Sequence, residues 1–504
     1  MYPKTQIFFV LGLSRSGQAA AQFLLSRGAI VYVYDELPSP RVDQALAQLQ
    51  TLGARKVESG QLQITCEKSD VLVLSPGIPI DHPIAVAFKR SGKAVVGETE
   101  LAARYMRCPV IAVTGTNGKT TTVSMLTQLL SVGGYQATAC GNVGTPMLSC
   151  LDRLEQAGEK GVAVAEISSF QLETLSSLCP HVTLILNVTE DHLNRHYTME
   201  NYIFLKAKLL KRATAAEYAV LNYDDPIVRS FAEKTRASVL FFSVREKVTG
   251  AYYQQGELYF NNEKVMSADD LPIGGLHNIQ NALAAIAAAK LMGIKTQEIV
   301  RALTQFKGVS HRLQPIGERN GVAFVDDSKA TNVDATLKAV ACMKRETILL
   351  VGGKDKGYDY KALFAALPKS KIVHAVIYGE NRYALLKCAR EQGYQELTVC
   401  PRFAHAVAVS VALAKAGETV LLSPASASFD EFANYEERGD AFVSLIQQLS
   451  HQEQCKEQCK EQCKEQCKEQ QSTAEETQGD ANELAAPPFA NVATKRCDFE
   501  EESE

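Results

Sequence analysis

Short apolar runs typical of buried strands alternate with helix-like segments along most of this chain of 504 residues. Strands that alternate with helices predict parallel sheets with helices on both faces. The pattern restarts near residue 109 and again near residue 310, so we predict an α/β protein with three consecutive α/β domains. The predicted domain boundaries are 1–106, 107–308 and 309–450, followed by a tail over residues 451–504.

Composition excludes several classes of protein. An apolar share of 46% and a charged share of 22% are unlike those of disordered, collagen-like or disulfide-scaffold chains. The longest nearly apolar stretch, residues 282–289, is too short to cross a bilayer, so we expect no membrane insertion. Residues 1–450 are mildly basic, which suits small anionic ligands and falls short of a nucleic-acid-binding surface.

The cysteines and the first apolar run point to the cytoplasm. Eight cysteines are scattered through residues 1–450 without regular spacing, which is simplest to explain in a reducing compartment. The run Ile7 to Leu13 is followed directly by Arg15, so we interpret it as a first strand and not as a signal peptide.

The tail differs in kind from the rest of the chain. A Gln-Cys-Lys-Glu repeat places Cys455, Cys459, Cys463 and Cys467 four residues apart. A metal site is one interpretation, but four thiols along one helix cannot close a tetrahedron around one zinc ion. Because the remaining tail is polar, acidic and poor in aromatic residues, we predict a solvated, disordered segment.

The segment 113–122 (VTGTNGKTTT) lies between a predicted strand and a predicted helix. Its glycines allow backbone N–H groups to face a phosphate, and Lys119 can neutralise the β and γ oxygens. The general P-loop pattern has glycine where Val113 stands, so this is a shorter variant, and an accidental glycine-rich turn is the alternative. We predict a P-loop NTPase-like central domain that binds ATP through Gly115, Thr116, Asn117, Gly118, Lys119, Thr120 and Thr121.

Two further polar residues follow predicted strands of the central domain. Glu166 comes at the end of the strand 162–165, where its carboxylate suits Mg²⁺ beside the Thr120 hydroxyl. His192 lies in a polar turn after the strand 182–186 and can contact a metal or a phosphate. The alternatives are a helix N-cap or surface acid for Glu166 and a structural histidine for His192.

The first domain carries a glycine turn, Gly12 to Gly17, after its first strand, and Asp35 closes its second strand. This is a Rossmann-like turn with Ser14 in place of the middle glycine. Its backbone amides suit a pyrophosphate, and an NAD oxidoreductase is one class that such a turn allows.

Four blocks in order, residues 113–122, 141–144, 166–173 and 187–196, resemble the ATP-dependent Mur ligases of peptidoglycan synthesis. The resemblance covers about residues 5–448. It implies Rossmann-like first and third domains and an amide ligase that adds D-glutamate to UDP-N-acetylmuramoyl-L-alanine through an acyl phosphate. It also implies ATP, Mg²⁺, a cytoplasmic location and a monomer. We find no Asp-Asn-Pro-Arg-like motif in the third domain, which argues against addition of diaminopimelate or lysine.

The resemblance also assigns residues by position. In the family, the lysine that matches Lys206 is carbamylated, and the nearby Lys208 remains an alternative. The implied metal ligands are Thr120, Glu166, His192 and Lys206, and the implied catalytic residues are Lys119, His192, Lys206, Arg312 and Lys329. The nucleotide set adds Asn278, Arg312 and Asp327, the UDP-substrate set is Arg15, Ser16, Asp35, Gly77, Asn142 and His192, and the amino-acid set is Thr331, Lys356, Ser428 and Tyr435.

Local alternatives remain for three of these residues. Asn278 can cap a helix rather than bind adenine, and Arg312 can pair with Asp327 rather than with a phosphate. At the level of function, a folylpolyglutamate-type ligase and a P-loop nucleotide switch are the two rival hypotheses.

Overall fold

Three separate sheets, each with helices packed around it, make up the part of the chain that the computed structural model describes, residues 6–355 and 357–448. We call the three groups of elements lobes 1, 2 and 3 in chain order. The prediction of three consecutive α/β units is confirmed. The tail with its four cysteines and Lys356 lie outside the described residues.

Lobe 1 has five parallel strands in the order β3-β2-β1-β4-β5. The strands are β1 Ile7–Leu11, β2 Ile30–Tyr34, β3 Arg55–Lys56, β4 Val71–Leu74 and β5 Ala94–Val96, and the helices are α1 Arg15–Ser26, α2 Pro40–Thr51, α3 Leu62–Lys68, α4 Pro83–Arg90 and α5 Glu98–Tyr105. From β1, the strands β2 and β3 extend to one edge of the sheet, and β4 and β5 extend to the other edge. This switch point opens a crevice between the turns that follow β1 and β4.

Lobe 2 has nine strands in the order β14-β13-β12-β11-β10-β9-β6-β8-β7, and only the last three along the chain pair antiparallel. The strands are β6 Val110–Thr114, β7 Gln136–Gly141, β8 Gly161–Glu166, β9 Val182–Ile185, β10 Tyr218–Asn222, β11 Ser238–Ser243, β12 Gly250–Gln254, β13 Glu257–Phe260 and β14 Glu263–Ser267. The helices are α6 Lys119–Val132, α7 Leu151–Gln156, α8 Ser169–Thr174, α9 Leu193–His196, α10 Met199–Ala207, α11 Pro226–Arg229, α12 Leu276–Leu291 and α13 Thr296–Thr304.

Lobe 3 has six strands in the order β15-β16-β20-β17-β18-β19, with only β15 antiparallel to its neighbour. The strands are β15 Gln314–Arg319, β16 Val322–Asp326, β17 Thr347–Gly352, β18 Ile372–Tyr378, β19 Leu397–Val399 and β20 Thr419–Leu422, and the helices are α14 Val333–Cys342, α15 Lys361–Ala366, α16 Arg382–Glu391 and α17 Phe403–Leu413.

Among the described residues, no helix has the length and apolar character needed to cross a bilayer. The apolar run 282–289 instead lies within α12, where all eight residues are buried in the core of lobe 2. A helix that is apolar on every side is expected to be surrounded by protein or by lipid, and here the sheet and the neighbouring helices surround it.

Lobes 1 and 2 are joined through the start of α5. The buried Glu98 carboxylate accepts a hydrogen bond from the backbone N–H of Leu148 (2.6 Å), and Glu100 accepts from the N–H groups of Ser176 (2.7 Å) and Ser177 (2.9 Å). Burial raises the pKa of Glu98 to about 7 and outweighs the hydrogen bonds to its charged form. Glu98 is therefore a titrating group inside the junction of the two lobes.

We expect the pH dependence of stability to change when Glu98 is replaced by glutamine. Between pH 5 and 7 the folded chain keeps a proton on Glu98 that the unfolded chain has lost. The wild-type free energy of unfolding therefore falls with rising pH by at most about 1 kcal/mol per unit from this group. Melting temperatures at pH 5.5 and 8 test this: the melting temperature of Glu98→Gln, relative to that of the wild type, should be higher at pH 8 than at pH 5.5. The exposed control Glu155→Gln should show no such difference, and equal slopes for Glu98→Gln and wild type would contradict the assignment.

Candidate active site

The phosphate loop joins β6 to α6 and contains a position, residue 118, that only glycine suits. Gly118 has a φ of 88°, and a Cβ there would lie 2.3 Å from Oδ1 of Asn281. Lys119 Nζ donates to the carbonyl oxygens of Gly115 (2.9 Å) and Thr116 (2.8 Å) within the loop. Burial lowers the pKa of Lys119. The lysine is thus held across a curled loop that lies at the N-terminus of a helix of 14 residues, the geometry that binds phosphate.

Thr120, Glu166 and Lys329 form one hydrogen-bonded group that spans lobes 2 and 3. Thr120 Oγ1 donates to Glu166 (2.8 Å) and accepts from Lys329 Nζ (2.7 Å), while the other Glu166 oxygen accepts from the Asn142 amide (2.9 Å). Glu166 is only 2% exposed. It ends β8 and does not cap α8, whose N-cap is Ser168, so the N-cap alternative is not what the structure shows.

Whether a divalent cation fits the site depends on the side chains of this group. The Lys329 ammonium lies beside the Thr120 hydroxyl. Burial lowers the pKa of Lys329 to about 8, and the negative charge of Glu166 opposes that shift. A hydroxyl and a carboxylate are hard oxygen ligands of the kind that Mg²⁺ prefers. Within the described residues no three His, Cys, Asp or Glu side chains are placed to hold a metal ion.

Lys206 and His192 lie on the side of this group that faces lobe 1. Lys206 is 1% exposed near the end of α10, and its Nζ lies 4.4 Å from the centre of the Tyr202 ring. Burial lowers the pKa of Lys206 well below its usual value, and the charge of Lys119 lowers it further. His192 has a φ of 56° and its ring centre lies 4.8 Å from that of Phe170.

Lys208, the alternative to Lys206, has a different environment. Its Nζ donates to the carbonyl oxygens of Leu172 and Glu173 at the end of α8. A lysine that satisfies the last carbonyl groups of a helix has a structural role.

Two adjoining cavities connect these residues to the other lobes. The central cavity, about 440 Å³, and the lateral cavity, about 640 Å³, share lining residues that include Lys119, Asn142, His192, Thr331 and Tyr435. Of these two cavities, only the central one is lined by Arg15, Ser16, Thr120, Glu166, Arg312 and Lys329. Gly77, Lys206 and Ser428 line only the lateral cavity.

Asp35 is the one residue of the UDP-substrate set that lines neither cavity. Its carboxylate accepts hydrogen bonds from the backbone N–H groups of Leu13 (2.7 Å) and Leu37 (3.0 Å). Asp35 therefore fixes the glycine turn after β1. Within that turn, a Cβ on Gly17 would lie 1.9 Å from the carbonyl oxygen of Gly12, so close packing requires glycine there.

A third, mostly apolar cavity of about 190 Å³ is lined by Thr121, Asn278 and Arg312. The Thr121 hydroxyl and the Arg312 Nε are both buried without a hydrogen-bond partner among the described residues. Buried polar groups are nearly always paired, so these two atoms are suited to a ligand that brings acceptors. Asn278 is the third residue of α12, donates to the Gly274 carbonyl (2.8 Å) and is not its N-cap, which is Gly275.

Arg312 and Asp327 do not form an ion pair with each other in the described structure, so the alternative of mutual pairing is not observed. Asp327 accepts instead from the Ser423 hydroxyl (2.8 Å) and from the N–H of Leu313 (3.2 Å). Burial raises the pKa of Asp327 to about 7, although the charge of Arg312 opposes that shift.

Sequence reasoning missed two residues that hold the lobes and loops of the site together. Asp191 accepts from the Tyr358 hydroxyl (3.0 Å) and from the Asn332 amide (3.2 Å), both in lobe 3. The fully buried Arg438 donates to the carbonyl oxygens of Ser328 (2.8 Å), Ser426 (3.0 Å) and Ala427 (3.2 Å). Asp191 lies inside the block 187–196, but the hydrogen-bond partners of both residues are more than ten residues away along the chain.

Comparison with known proteins agrees with this architecture. Residues 6–97 match the N-terminal domain of MurD-like Mur ligases, residues 113–289 the Mur ligase middle domain, and residues 311–426 the glutamate ligase domain of Mur ligases. The crystal structure of UDP-N-acetylmuramate-alanine ligase MurC from Thermotoga maritima aligns with a TM-score of 0.57 and 19% identity over 88% of this chain and 99% of that one. That likeness concerns the fold.

Closer relatives share the sequence as well. A protein of Pelotomaculum thermopropionicum is 39% identical over 445 residues, 87% of this chain and 97% of the relative. One of Streptococcus equi subsp. zooepidemicus is 40% identical over 442 residues, 87% and 96% respectively. The chain therefore belongs to the Mur ligase family, the ATP-dependent ligases that form amide bonds in cell-wall synthesis. Both relatives bear the name UDP-N-acetylmuramoylalanine–D-glutamate ligase, and this chain groups with them within the family.

Proposed function

We propose that this chain joins D-glutamate to UDP-N-acetylmuramoyl-L-alanine at the expense of ATP, in the cytoplasmic stage of peptidoglycan synthesis. The names of the relatives and the match to a MurD-like N-terminal domain support this reaction. The observation that carries the proposal is that two adjoining cavities are lined by the turns of lobe 1, the phosphate loop of lobe 2 and the hydroxyl-bearing residues of lobe 3.

The first step moves the γ-phosphoryl group of ATP onto the L-alanyl carboxylate. A carboxylate oxygen forms a bond to the γ-phosphorus while the bond from that phosphorus to the β,γ-bridging oxygen breaks and ADP leaves. Lys119 binds the β and γ oxygens, and the guanidinium of Arg312 stabilises the charge on the transferring group. Arg312 suits this role because it lines both the central and the apolar cavity and its buried Nε has no protein partner.

In the second step the D-glutamate amine attacks the acyl carbon. The new C–N bond forms, the C–O bond to phosphate breaks, and the amine proton leaves with the phosphate. Lys329 lies beside Thr120, and its Nζ is 5.0 Å from the centre of the Tyr435 ring. From there its positive charge can stabilise the departing phosphate. Water would hydrolyse the acyl phosphate and must be kept out of the site. The contacts that Asp191 makes between lobes 2 and 3 are expected to exclude it.

Thr120 and Glu166 are the groups that would hold Mg²⁺, with His192 and a carbamylated Lys206 on the side towards lobe 1. Bound there, Mg²⁺ supplies positive charge to the phosphate oxygens. A carbamate changes a lysine from a cation into a carboxylate-like ligand, which answers the lack of a third His, Cys, Asp or Glu in the described site.

The D-glutamate carboxylates are expected to contact Thr331, Ser428 and Tyr435, whose side chains line the lateral cavity. Tyr435 has its pKa raised by burial, so it acts as a neutral hydroxyl donor. Lys356, the proposed cation of this pocket, lies outside the described residues. Asn278 and Asp327 remain the proposed contacts of the nucleoside, and Arg15, Ser16, Gly77 and Asn142 those of the UDP-sugar.

We further propose that the enzyme acts as a cytoplasmic monomer. Residues of all three lobes of this chain line the central cavity, among them Arg15, Lys119 and Lys329. The eight described cysteines are free thiols, which suits a reducing compartment.

An ADP-release assay with product mass determination tests the proposed function. The UDP-substrate is supplied with ATP and Mg²⁺, and D-glutamate, L-glutamate, L-lysine and meso-diaminopimelate are added in turn. We expect ADP and a product one glutamyl residue heavier with D-glutamate only. ADP release without any amino acid would favour the nucleotide switch, and glutamylation of a folate substrate would favour the folylpolyglutamate-type ligase.

A further inference from the structure

Arg195 joins lobe 2 to the turn that follows β4 in lobe 1. It is the third residue of α9 and its side chain is 12% exposed. Nη2 donates to the carbonyl oxygens of Ile78 (2.7 Å) and Pro76 (3.4 Å), and Nη1 donates to that of Gly77 (3.3 Å). One guanidinium therefore contacts three consecutive carbonyl groups of another lobe.

The same guanidinium is fixed from the side of lobe 2. Its Nε and Nη2 donate to the two oxygens of Glu173 at 2.9 and 2.6 Å, and its central carbon lies 5.2 Å from the centre of the Phe170 ring. The Glu173 side chain is 6% exposed. His196 Nδ1 lies 3.4 Å from Glu173, but burial lowers the pKa of His196 to about 4, so Arg195 is the cation that neutralises this carboxylate.

The two ends of this contact reach the site from opposite directions. Gly77 lines the lateral cavity together with His192 and Lys206, and Phe170 also packs against the His192 ring. The turn over residues 76–78 leaves the sheet of lobe 1 at its switch point, where nucleotide ligands bind in α/β folds. Any shift of the turn relative to α9 would move a bound UDP-sugar relative to the phosphate loop.

We propose that Arg195 is a positioning residue that sets the distance between the UDP-sugar site of lobe 1 and the reacting phosphate of lobe 2. This inference rests on the proposed function, because it needs a substrate whose nucleotide end binds lobe 1 and whose carboxylate reaches ATP. Misplacement of a reacting group by about 1 Å can lower a rate by about 10²-fold, so a fixed spacing between the lobes has a large kinetic value.

The planar guanidinium is what makes the contact possible. Arginine presents five donors in a fixed fork and can bind a carboxylate through two of them while the others reach carbonyl oxygens. Lysine would keep the charge next to Glu173 but has one nitrogen and cannot hold three carbonyl groups in a row. Arg195→Lys therefore separates the loss of geometry from the loss of charge.

Steady-state kinetics of the full chain and calorimetric binding of UDP-N-acetylmuramoyl-L-alanine without ATP test the proposal. For Arg195→Lys we expect kcat to fall about 10-fold or more, because the reacting groups are displaced from each other. KM and Kd for the UDP-substrate should also rise, with KM for ATP changed less than about 2-fold. A matched control is Arg229→Lys, because Arg229 also contacts a carbonyl (Tyr223, 3.4 Å) and lies 4.9 Å over an aromatic ring, far along the chain from the site. The control should leave all of these constants unchanged.

A second variant keeps the test decisive if Arg195→Lys folds poorly. Glu173→Gln leaves the guanidinium in place but removes the charge that holds it, so kcat should fall and the UDP-substrate constants should rise by smaller factors, with KM for ATP again unaffected. An unchanged kcat together with unchanged UDP-substrate constants in both variants, or equal losses for ATP and the UDP-substrate, would overturn the proposal. If the wild type neither binds nor converts the UDP-substrate, the proposed function fails and this inference fails with it. If the wild type converts the substrate and the variants have the same constants as the wild type, only the inference fails.

Discussion

Replacing Lys206 by alanine is expected to lower kcat by about 10³-fold. The side chain is 1% exposed, and no carboxylate lies within ion-pair distance among the described residues. A buried charge without a partner is costly, so burial lowers the pKa of Lys206 and favours the neutral amine. A neutral amine can add to CO₂: the nitrogen forms a bond to carbon, a proton leaves, and a carbamate remains beside the Mg²⁺ ligands. In the proposed site, loss of that carboxylate would remove one ligand of Mg²⁺ and weaken the stabilisation of charge on the transferring phosphate.

Lys208 supplies the matched control for that experiment. Lys208→Ala removes hydrogen bonds to the last carbonyl groups of α8, so we expect a lower melting temperature with kcat within a few-fold of the wild type. Carbon-13 NMR after addition of labelled bicarbonate should reveal a carbamate signal in the wild type and in Lys208→Ala. The same signal should be absent from Lys206→Ala. A carbamate signal lost in Lys208→Ala and kept in Lys206→Ala would reverse the assignment of the two lysines.

Replacing Arg312 by alanine is expected to lower kcat by about 10³- to 10⁵-fold, the range found for arginines that stabilise a transferring phosphoryl group. The buried Nε without a partner and the lack of an ion pair with Asp327 leave its guanidinium available to a ligand. Arg312→Lys should recover only part of the loss, because lysine keeps the charge but not the fork of donors.

The effect of Arg312 should appear in the chemical step. Single-turnover rates at saturating ATP measure that step directly, and the loss should persist there because charge on the transferring group is greatest in the transition state. Arg345→Ala is a suitable control, since Arg345 lies half-exposed in an ion pair with Glu318 (3.1 Å). A variant of Arg312 with a raised KM for ATP and an unchanged single-turnover rate would show that this arginine only binds the nucleotide.

The buried central strands were predictable from the sequence because their composition is dictated by their position. The apolar runs predict strands at Ile7–Leu11, Ile30–Tyr34, Val71–Leu74 and Thr419–Leu422, and β1, β2, β4 and β20 have those bounds. A strand covered on both faces must be apolar throughout. Strands β3, β5, β15 and β19 were missed, and each lies at the edge of its sheet. Edge strands are half-exposed and short, and a sequence such as QPIGER in β15 carries no apolar pattern. Strands β7 and β10 were also missed.

Helix starts were less predictable than strands. The apolar pattern of the sequence predicts helices over residues 18–26 and 120–130. The observed helices α1 and α6 begin earlier, at Arg15 and Lys119. In both, the first turn belongs to a glycine turn whose backbone geometry is fixed by neighbours from other strands, such as Ser75 against Gly12. The apolar period of a helix does not extend into such a turn.

The sequence by itself determined the three α/β units and the phosphate loop, because strand periodicity, glycine placement and the order of strand, loop and helix are properties of adjacent residues. It also put Glu166 and His192 after strands, and hence at the edge of a sheet where sites form. Only the tertiary structure gave Lys206 and Lys208 their different surroundings: Lys206 lines the lateral cavity, and Lys208 donates to carbonyl groups at the end of α8.

The tertiary structure alone also brought Arg195 to the turn of lobe 1 and Asp191 to lobe 3. Those contacts join residues more than 100 positions apart. They depend on the order of strands in each sheet and on how the lobes pack. Burial of apolar surface over many residues sets both, so the spacing of residues within a short motif does not predict them.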